Sequence, residues 1–361
     1  MKRSMNLLAA LLVMALLLPG LGMAEEKPVV GILQYVQHDA LDSARDGFVK
    51  GLADEGFVEN VNVIFDYQNG QASQDICASI ADKFVADGVD LMLGIATPAV
   101  LSLAGKTDRI PILGTAVTDF VGAKLAKSDD APGFNVSGTS DMNPVADQIK
   151  LIKRFLPEAK VVGILYTGSE INSQTQVRLA LEEIAAQGME ALEVTVNNSN
   201  DVQQAVQSLA GRCDAIYLPT DNIISAAIPI VAEEAMKAGL ALSCGEEAQV
   251  TGGGTFTLGV NYFRLGEQTG HMAAQILRGE AKVAELGGEN VIAFVAETVV
   301  GATSGAGVGA GAGATWVDMA GGGTPPGCGR SRFAGSDSQH ARYMKPSHDS
   351  PVAGSAAQSP A

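Results

Sequence analysis

Basic residues are scarce in this chain of 361 residues. Twenty-four Lys and Arg face 40 Asp and Glu, for a net charge of −16. A general nucleic-acid binder needs a basic surface to replace the counterions on phosphates, so that class is excluded. Cysteine is also rare, with Cys77, Cys213, Cys244 and Cys328. No Cys or His pair has metal-ligand spacing, so neither a metal site nor a disulfide framework is expected. Cys213 and Cys244 are the pair to consider. They fall just before one predicted strand and near the end of the next, and an offset of several residues at about 3.3 Å each holds parallel neighbours too far apart for a bridge. Catalytic signatures are missing as well. There is no GxSxG and no HExxH. Gly105-Lys106-Thr107 ends like a P-loop, but Val100 stands where its first glycine belongs. No catalytic set and no cofactor are expected.

Long apolar runs are confined to the beginning. Lys2 and Arg3 precede an unbroken apolar stretch from Leu7 to Leu18, which Pro19-Gly20 ends, and Gly22-Met23-Ala24 offers small residues for cleavage before Glu25. This pattern predicts a cleavable export signal over 1–24, an uncleaved anchor being the alternative. The mature protein is then expected to be soluble and periplasmic, with no membrane insertion after cleavage. No Cys follows the run, which argues against lipid attachment there.

What is present is a repeat. VVGIL occurs at 29–33 and again at 161–165. Each copy leads through a loop into a helical pattern: Ala44, Phe48 and Leu52 in one case, Val177, Leu181 and Ile184 in the other. Gly56 and Gly188 end these patterns, each 25 residues beyond the glycine of its VVGIL. A glycine just past a helix is the expected stop signal. Second strands follow at 61–67 and 192–196, third strands at 90–96 and 214–219, and fourth strands at 111–116 and 240–244, with helices between. Alternating strands and helices, with apolar strands, predict parallel sheets covered on both faces. The expected fold is α/β, with two Rossmann-like lobes joined by a hinge. Residues 136–142 and the helix 144–156 link the lobes, and 255–260 with the helix 266–277 return to the first. The expected boundaries are 25–141 with 253–300 for the first lobe and 142–252 for the second. From Gly301 the chain is rich in Gly, Ala, Ser and Pro, and 301–361 is expected to be a disordered tail, a shifted reading frame being one source.

In open α/β sheets ligands bind beyond the carboxyl ends of the strands. The loops that leave strands carry Tyr35, His38, Leu41, Thr97, Asp119, Ser140, Asp141, Asn172, Ser173, Asp221, Asn222 and the pair Glu246-Glu247. Thr97-Pro98 reads as an N-cap followed by Pro at the first helical position, which would aim free N–H groups at a ligand carboxylate. Asn172 and Ser173 could do the same from the other lobe, and Asp141 and Asp221 could hold an ammonium group. Tyr35, Leu41 or Phe120 could line an apolar pocket. Each polar residue among these can equally serve as an ordinary helix cap. His38 stands alone, with ligand contact, surface exposure and capping all open to it.

Several of these stretches together resemble a family. ATP at 96–98, VTD at 117–119, GTSD at 138–141, the YxxxExNS pattern at 166–173 and PTDN at 219–222 look like the ABC-transporter substrate-binding proteins of the tryptophan/tyrosine type. The likeness spans roughly 29–283. It departs at Phe120, where the family has Pro, and at Thr167-Gly168, where it has Asn-Pro. The resemblance implies a type I periplasmic binding protein fold and a small amino-acid-like ligand, often aromatic. It further implies delivery to a membrane permease driven by an ATPase subunit. A sensory or regulatory module of the same fold is the alternative.

Overall fold

The computed structural model describes residues 26–283, together with the backbone of 297–300 and 315–316. The expected signal at 1–24 and, apart from Thr315-Trp316, the expected tail at 301–361 lie outside the described residues.

The first sheet is built from β1 (Val29–Gln34), β2 (Ile64–Asn69), β3 (Leu91–Ile95), β4 (Ile112–Val117) and β5 (Val136–Ser140). Its order is β2-β1-β3-β4-β5 and every pairing is parallel. The interior strands β3 and β4 are buried along their whole length, whereas the edge strand β2 buries only Phe65 and alternates between half-buried and exposed positions beyond it. Helices α1 (Asp39–Asp54), α2 (Gln74–Asp87) and α3 (Thr97–Ala104) follow the first three strands. β2 begins three residues later than expected. Val61 and Asn62 instead donate backbone hydrogen bonds to the Val58 carbonyl in a turn where Asn60 takes a φ of 63°, and Asn tolerates that left-handed conformation.

The second lobe opens with α4 (Val145–Phe155) and β6 (Val161–Thr167). It continues through α5 (Ile171–Ala186), β7 (Glu190–Val196), α6 (Val202–Leu209) and β8 (Ala215–Leu218). Then come α7 (Asn222–Ala226), α8 (Ile228–Ala238), β9 (Ala241–Cys244), α9 (Glu247–Thr251) and β10 (Phe256–Gly259). The last helix is α10 (Tyr262–Leu277), followed by β11 (Glu297–Val300) and β12 (Thr315–Trp316). The sheet order is β12-β11-β10-β9-β8-β6-β7, parallel from β7 to β10 and antiparallel at β11 and β12. Alternate residues of its central strands enter two separate cores. Leu165, Ile216 and Leu218 face one, and Val162, Ile164, Ala215 and Tyr217 face the other. Both faces are therefore covered, as the continuous apolar strands require.

The expected return of 253–300 to the first lobe is corrected by the pairing. Phe256 pairs with Ser243 and Thr257 with Cys244, so β10 extends the second sheet, and β11 pairs with β10 in turn. The Thr257 hydroxyl donates to the Cys244 carbonyl at 2.6 Å, and Gln148 on α4 donates to the Leu258 carbonyl at 2.8 Å. The edge left open by β9 takes the strand. After β10 the chain crosses back, and α10 packs on α1 with glycines at the contact. A Cβ on Gly47 would lie 1.9 Å from the Phe263 carbonyl oxygen, and one on Gly266 would lie 1.8 Å from that of Ala44. The two backbones touch because Gly47, Gly51, Gly266 and Gly270 have no side chains there. The repeated glycine of VVGIL has a related cause: a Cβ on Gly31 would meet the Phe84 ring of α2 at 2.8 Å, and one on Gly163 would meet Leu209 of α6 at 3.1 Å. Each glycine admits a helix against its strand. Cys77, Cys213 and Cys244 are buried free thiols.

Candidate functional site

The carboxyl ends of the strands from both lobes converge on one small, largely filled cavity. From the first lobe it is lined by His38, Leu41, Ala116, Thr118 and Asp141, with Tyr262 from the returning helix α10; the second lobe gives Asn172, Thr220, Asp221, Asn222, Ser225 and Glu246. Three carboxylates line this cavity and no Lys or Arg does.

On the first-lobe side the backbone is strained at two strand ends. Ala96, just after β3, has a φ of 82°, and Ala116, near the end of β4, has a φ of 56°. Residues with a Cβ rarely hold such angles, and their clustering where two neighbouring strands meet the cavity is typical of functional sites. Ala96, and not Thr97, occupies the N-cap of α3, so the expected capping role of Thr97 is corrected. The left-handed turn at Ala96 places Thr97 inside the helix, and its hydroxyl oxygen accepts from the Thr118 N–H at 3.3 Å. Thr118 in turn donates from its hydroxyl to Asp141 Oδ1 at 2.9 Å, while Tyr262 donates to Asp141 Oδ2 at 2.7 Å. Burial holds the Asp141 carboxyl above the usual carboxylate range and the Tyr262 phenol well above its own. Glu246, pushed up to about 8 by burial, accepts from the Ser225 hydroxyl at 2.6 Å.

On the second-lobe side the polar groups are bonded to one another. Asp221 caps α7 by accepting from Ile224 N at 3.0 Å. It also accepts from the Thr167 hydroxyl and N–H, at 2.8 and 2.6 Å, and from the Ser173 hydroxyl at 2.7 Å. Ser173 and Asp221 thus satisfy each other, which leaves Ser173 no hydroxyl proton for a ligand carboxylate and Asp221 little capacity for an ammonium group. Glu170, at the N-cap position of α5, receives Asn172 Nδ2 at 2.8 Å and Asn222 Nδ2 at 2.7 Å on Oε2. Burial and the neighbouring Asp221 raise its affinity for a proton. Asn222 Oδ1 lies 3.4 Å from His38 Nε2, a contact between the lobes.

Of the residues expected from sequence, Leu41, Asp141, Asn172, Asp221 and Asn222 line the cavity. Asp119 instead accepts from Gly122 N in a turn, and Ser140 donates to the Thr118 carbonyl. Tyr35 is buried, with its hydroxyl on the Ala72 carbonyl, and Phe120 belongs to the first-lobe core. Sequence reasoning passed over Thr118, Ser225 and Tyr262. Thr118 had a signal, since it sits inside the VTD motif. Tyr262 had none, because only the packing of α10 on α1 brings it to Asp141.

The family described as ABC transporter substrate binding protein matches residues 29–292. The chain belongs to that family. This is a family of solute-binding proteins, and the assignment favours transport over the sensory alternative. A curated relative, a tyrosine-binding protein of Clostridioides difficile, is 39% identical over 252 residues, covering 70% of this chain and 73% of the relative. A solved Streptococcus structure, described as an ABC domain in complex with L-Trp, is 35% identical. It covers 76% of this chain and 92% of its own, with a TM-score of 0.73. The ligand-free, open structure of a Clostridium difficile substrate-binding protein is 39% identical over the same shares, yet its TM-score is 0.57. In this substrate-binding protein the two lobes touch across the cleft at His38 and Asn222. The type I periplasmic binding protein fold is shared with a leucine-binding protein of Thermotoga maritima that is 15% identical, with a TM-score of 0.57.

Proposed function

We propose that this chain is the exported binding component of an ABC importer and that its cleft closes on an amino acid, of the aromatic class. The observation that carries the ligand class is the set of carboxylates at Asp141, Asp221 and Glu246 around a cavity with no lining Lys or Arg. Asp141 and Glu246, whose proton affinity burial raises, are most readily satisfied by a cation, and an α-ammonium group supplies one with three donors. Asp141 is the better seat for it than Asp221, because each of its oxygens carries one hydrogen bond in the free site. The aromatic class is taken from the names of the relatives, and the permease and ATPase partners from the family.

The mechanism is hinge closure. Contacts made by the ligand with both lobes stabilise the closed state, and a permease then recognises that state. Export by a cleaved signal over 1–24, with cleavage after Ala24, belongs to the same reading. Among the described residues no helix is long and apolar enough to cross a membrane. Calorimetry with L-tyrosine, L-tryptophan, L-phenylalanine and their N-acetyl derivatives tests the ligand. The free amino acids are expected to bind. The N-acetyl forms, which lack the cation, are expected to bind at least about 100-fold more weakly. Equal binding of both forms, or binding of a sugar alone, would contradict the proposal.

A further inference from the structure

His38 is half-buried in the cavity wall, and its environment fixes which ring nitrogen carries the proton. The chain of reasoning begins at Glu170. Its Oε2 accepts from Asn222 Nδ2 at 2.7 Å, from Asn222 N at 3.2 Å and from Asn172 Nδ2 at 2.8 Å. The amide nitrogen of Asn222 is therefore committed to Glu170, and its oxygen must be the atom that faces His38. That oxygen only accepts, so His38 Nε2, 3.4 Å away, is the donor. Burial holds the imidazole in its neutral form, with its pKa lowered to about 4. A neutral ring with its proton on Nε2 has a bare lone pair on Nδ1. That Nδ1 is buried and has no hydrogen-bond partner. His38 also sits at the N-cap position of α1 without making a cap hydrogen bond, so the lone pair is not used by its own helix.

We infer that His38 Nδ1 accepts a hydrogen bond from the side chain of the bound amino acid, and that this contact selects ligands with a side-chain donor, a phenol O–H or an indole N–H, over phenylalanine. The inference rests on the amino-acid reading above. It assigns the ammonium and the side-chain donor to different hydrogen-bonded sets. Asp141, Tyr262 and Thr118 form the first, and His38, Asn222, Glu170 and Asn172 form the second. Burying an acceptor unsatisfied is costly, so phenylalanine leaves Nδ1 orphaned in the closed state where tyrosine or tryptophan does not.

The test compares L-tyrosine, L-tryptophan and L-phenylalanine on the full chain and on His38→Phe. The expected result is that tyrosine or tryptophan binds the wild type about 10- to 100-fold tighter than phenylalanine, and that His38→Phe removes the preference. The ratio is the readout, because loss of the His38–Asn222 contact would weaken closure on every ligand alike. A wild type without preference, or a variant that weakens all three equally, overturns the inference and leaves the amino-acid reading intact. Failure of all three to bind overturns both. Should His38→Phe not fold, imidazole 15N NMR of the wild type decides. The Nδ1 signal of the free protein is expected at the position of an unprotonated nitrogen, and to move on adding tyrosine or tryptophan but not phenylalanine. A protonated Nδ1 in the free protein, or a signal that ignores all three ligands, overturns it.

Discussion

The two lobes begin with the same five residues and meet the cleft with acids in opposite states. Asp221 of the second lobe accepts four hydrogen bonds, from Thr167 twice, Ser173 and Ile224, and a carboxylate has about four sites to offer. Asp141 of the first lobe accepts two, from Thr118 and Tyr262. Both side chains are buried and both line the cavity. Asp221 is a keystone that fixes the end of β6, the start of α5 and the start of α7 relative to one another. Asp141 keeps acceptor capacity. Two buried acids, one after the third strand of its lobe and one after the fifth, thus divide the work, one holding the wall and the other free to hold a ligand.

The comparison breaks most visibly at Asp221. Asp221→Ala leaves the Thr167 and Ile224 N–H groups and the Thr167 and Ser173 hydroxyls buried without their acceptor. It is expected to cost about 3–5 kcal/mol in urea unfolding and to abolish ligand binding with it. Asp141→Asn should do the reverse. Its stability is expected to match or exceed the wild type, because a buried carboxylate with raised proton affinity is replaced by a neutral isostere. Its affinity for the amino acid should fall by about 2–4 kcal/mol, measured by calorimetry. An Asp141→Asn protein with unchanged affinity would end the distinction drawn between the two acids.

A smaller effect follows from Glu246, whose pKa stands at about 8 in the fold against an ordinary 4.5. Between those values the folded state holds a proton that the unfolded chain has lost. Stability therefore falls as pH rises from about 4.5 to about 8, and is greatest at the acid end of that window. Melting temperatures across the window should show this slope, and Glu246→Gln should reduce it, leaving the contribution of the same sign from Glu170. Smallest of all is Arg178→Ala, which removes an exposed ion pair to Glu182 on the outer face of α5. It is expected to leave both melting temperature and affinity within experimental error. A large effect there would mean that the outer surface of the second lobe is coupled to its cleft wall.

Most of the fold was legible in the sequence because the signals are local. The apolar strands after each VVGIL, the stop glycines Gly56 and Gly188, and the alternation of strand and helix all depend on neighbours within a few residues. The error came where the decision is not local. Residues 255–260 read correctly as a strand, but nothing in them says which sheet edge they join. That was settled by the open edge at β9 and by the reach of Gln148 and Thr257. The site was legible to a similar depth. The loops after the strands named Asp141, Asn172, Asp221 and Asn222, but not which acid was already spent.

The sequence by itself determined the two α/β lobes, the acidic character of the chain and the loops that form the cleft, since periodicity, composition and turn residues act at short range. Only the tertiary structure decided how those loops are used. Hydrogen-bond donors 48 to 121 residues away in the chain claim Asp221 and one oxygen of Asp141. The contact of Asn222 with His38 spans 184 residues. Whether a buried polar atom is satisfied depends on partners that only folding brings within about 3 Å, and that condition separates the wall of this cleft from its binding groups.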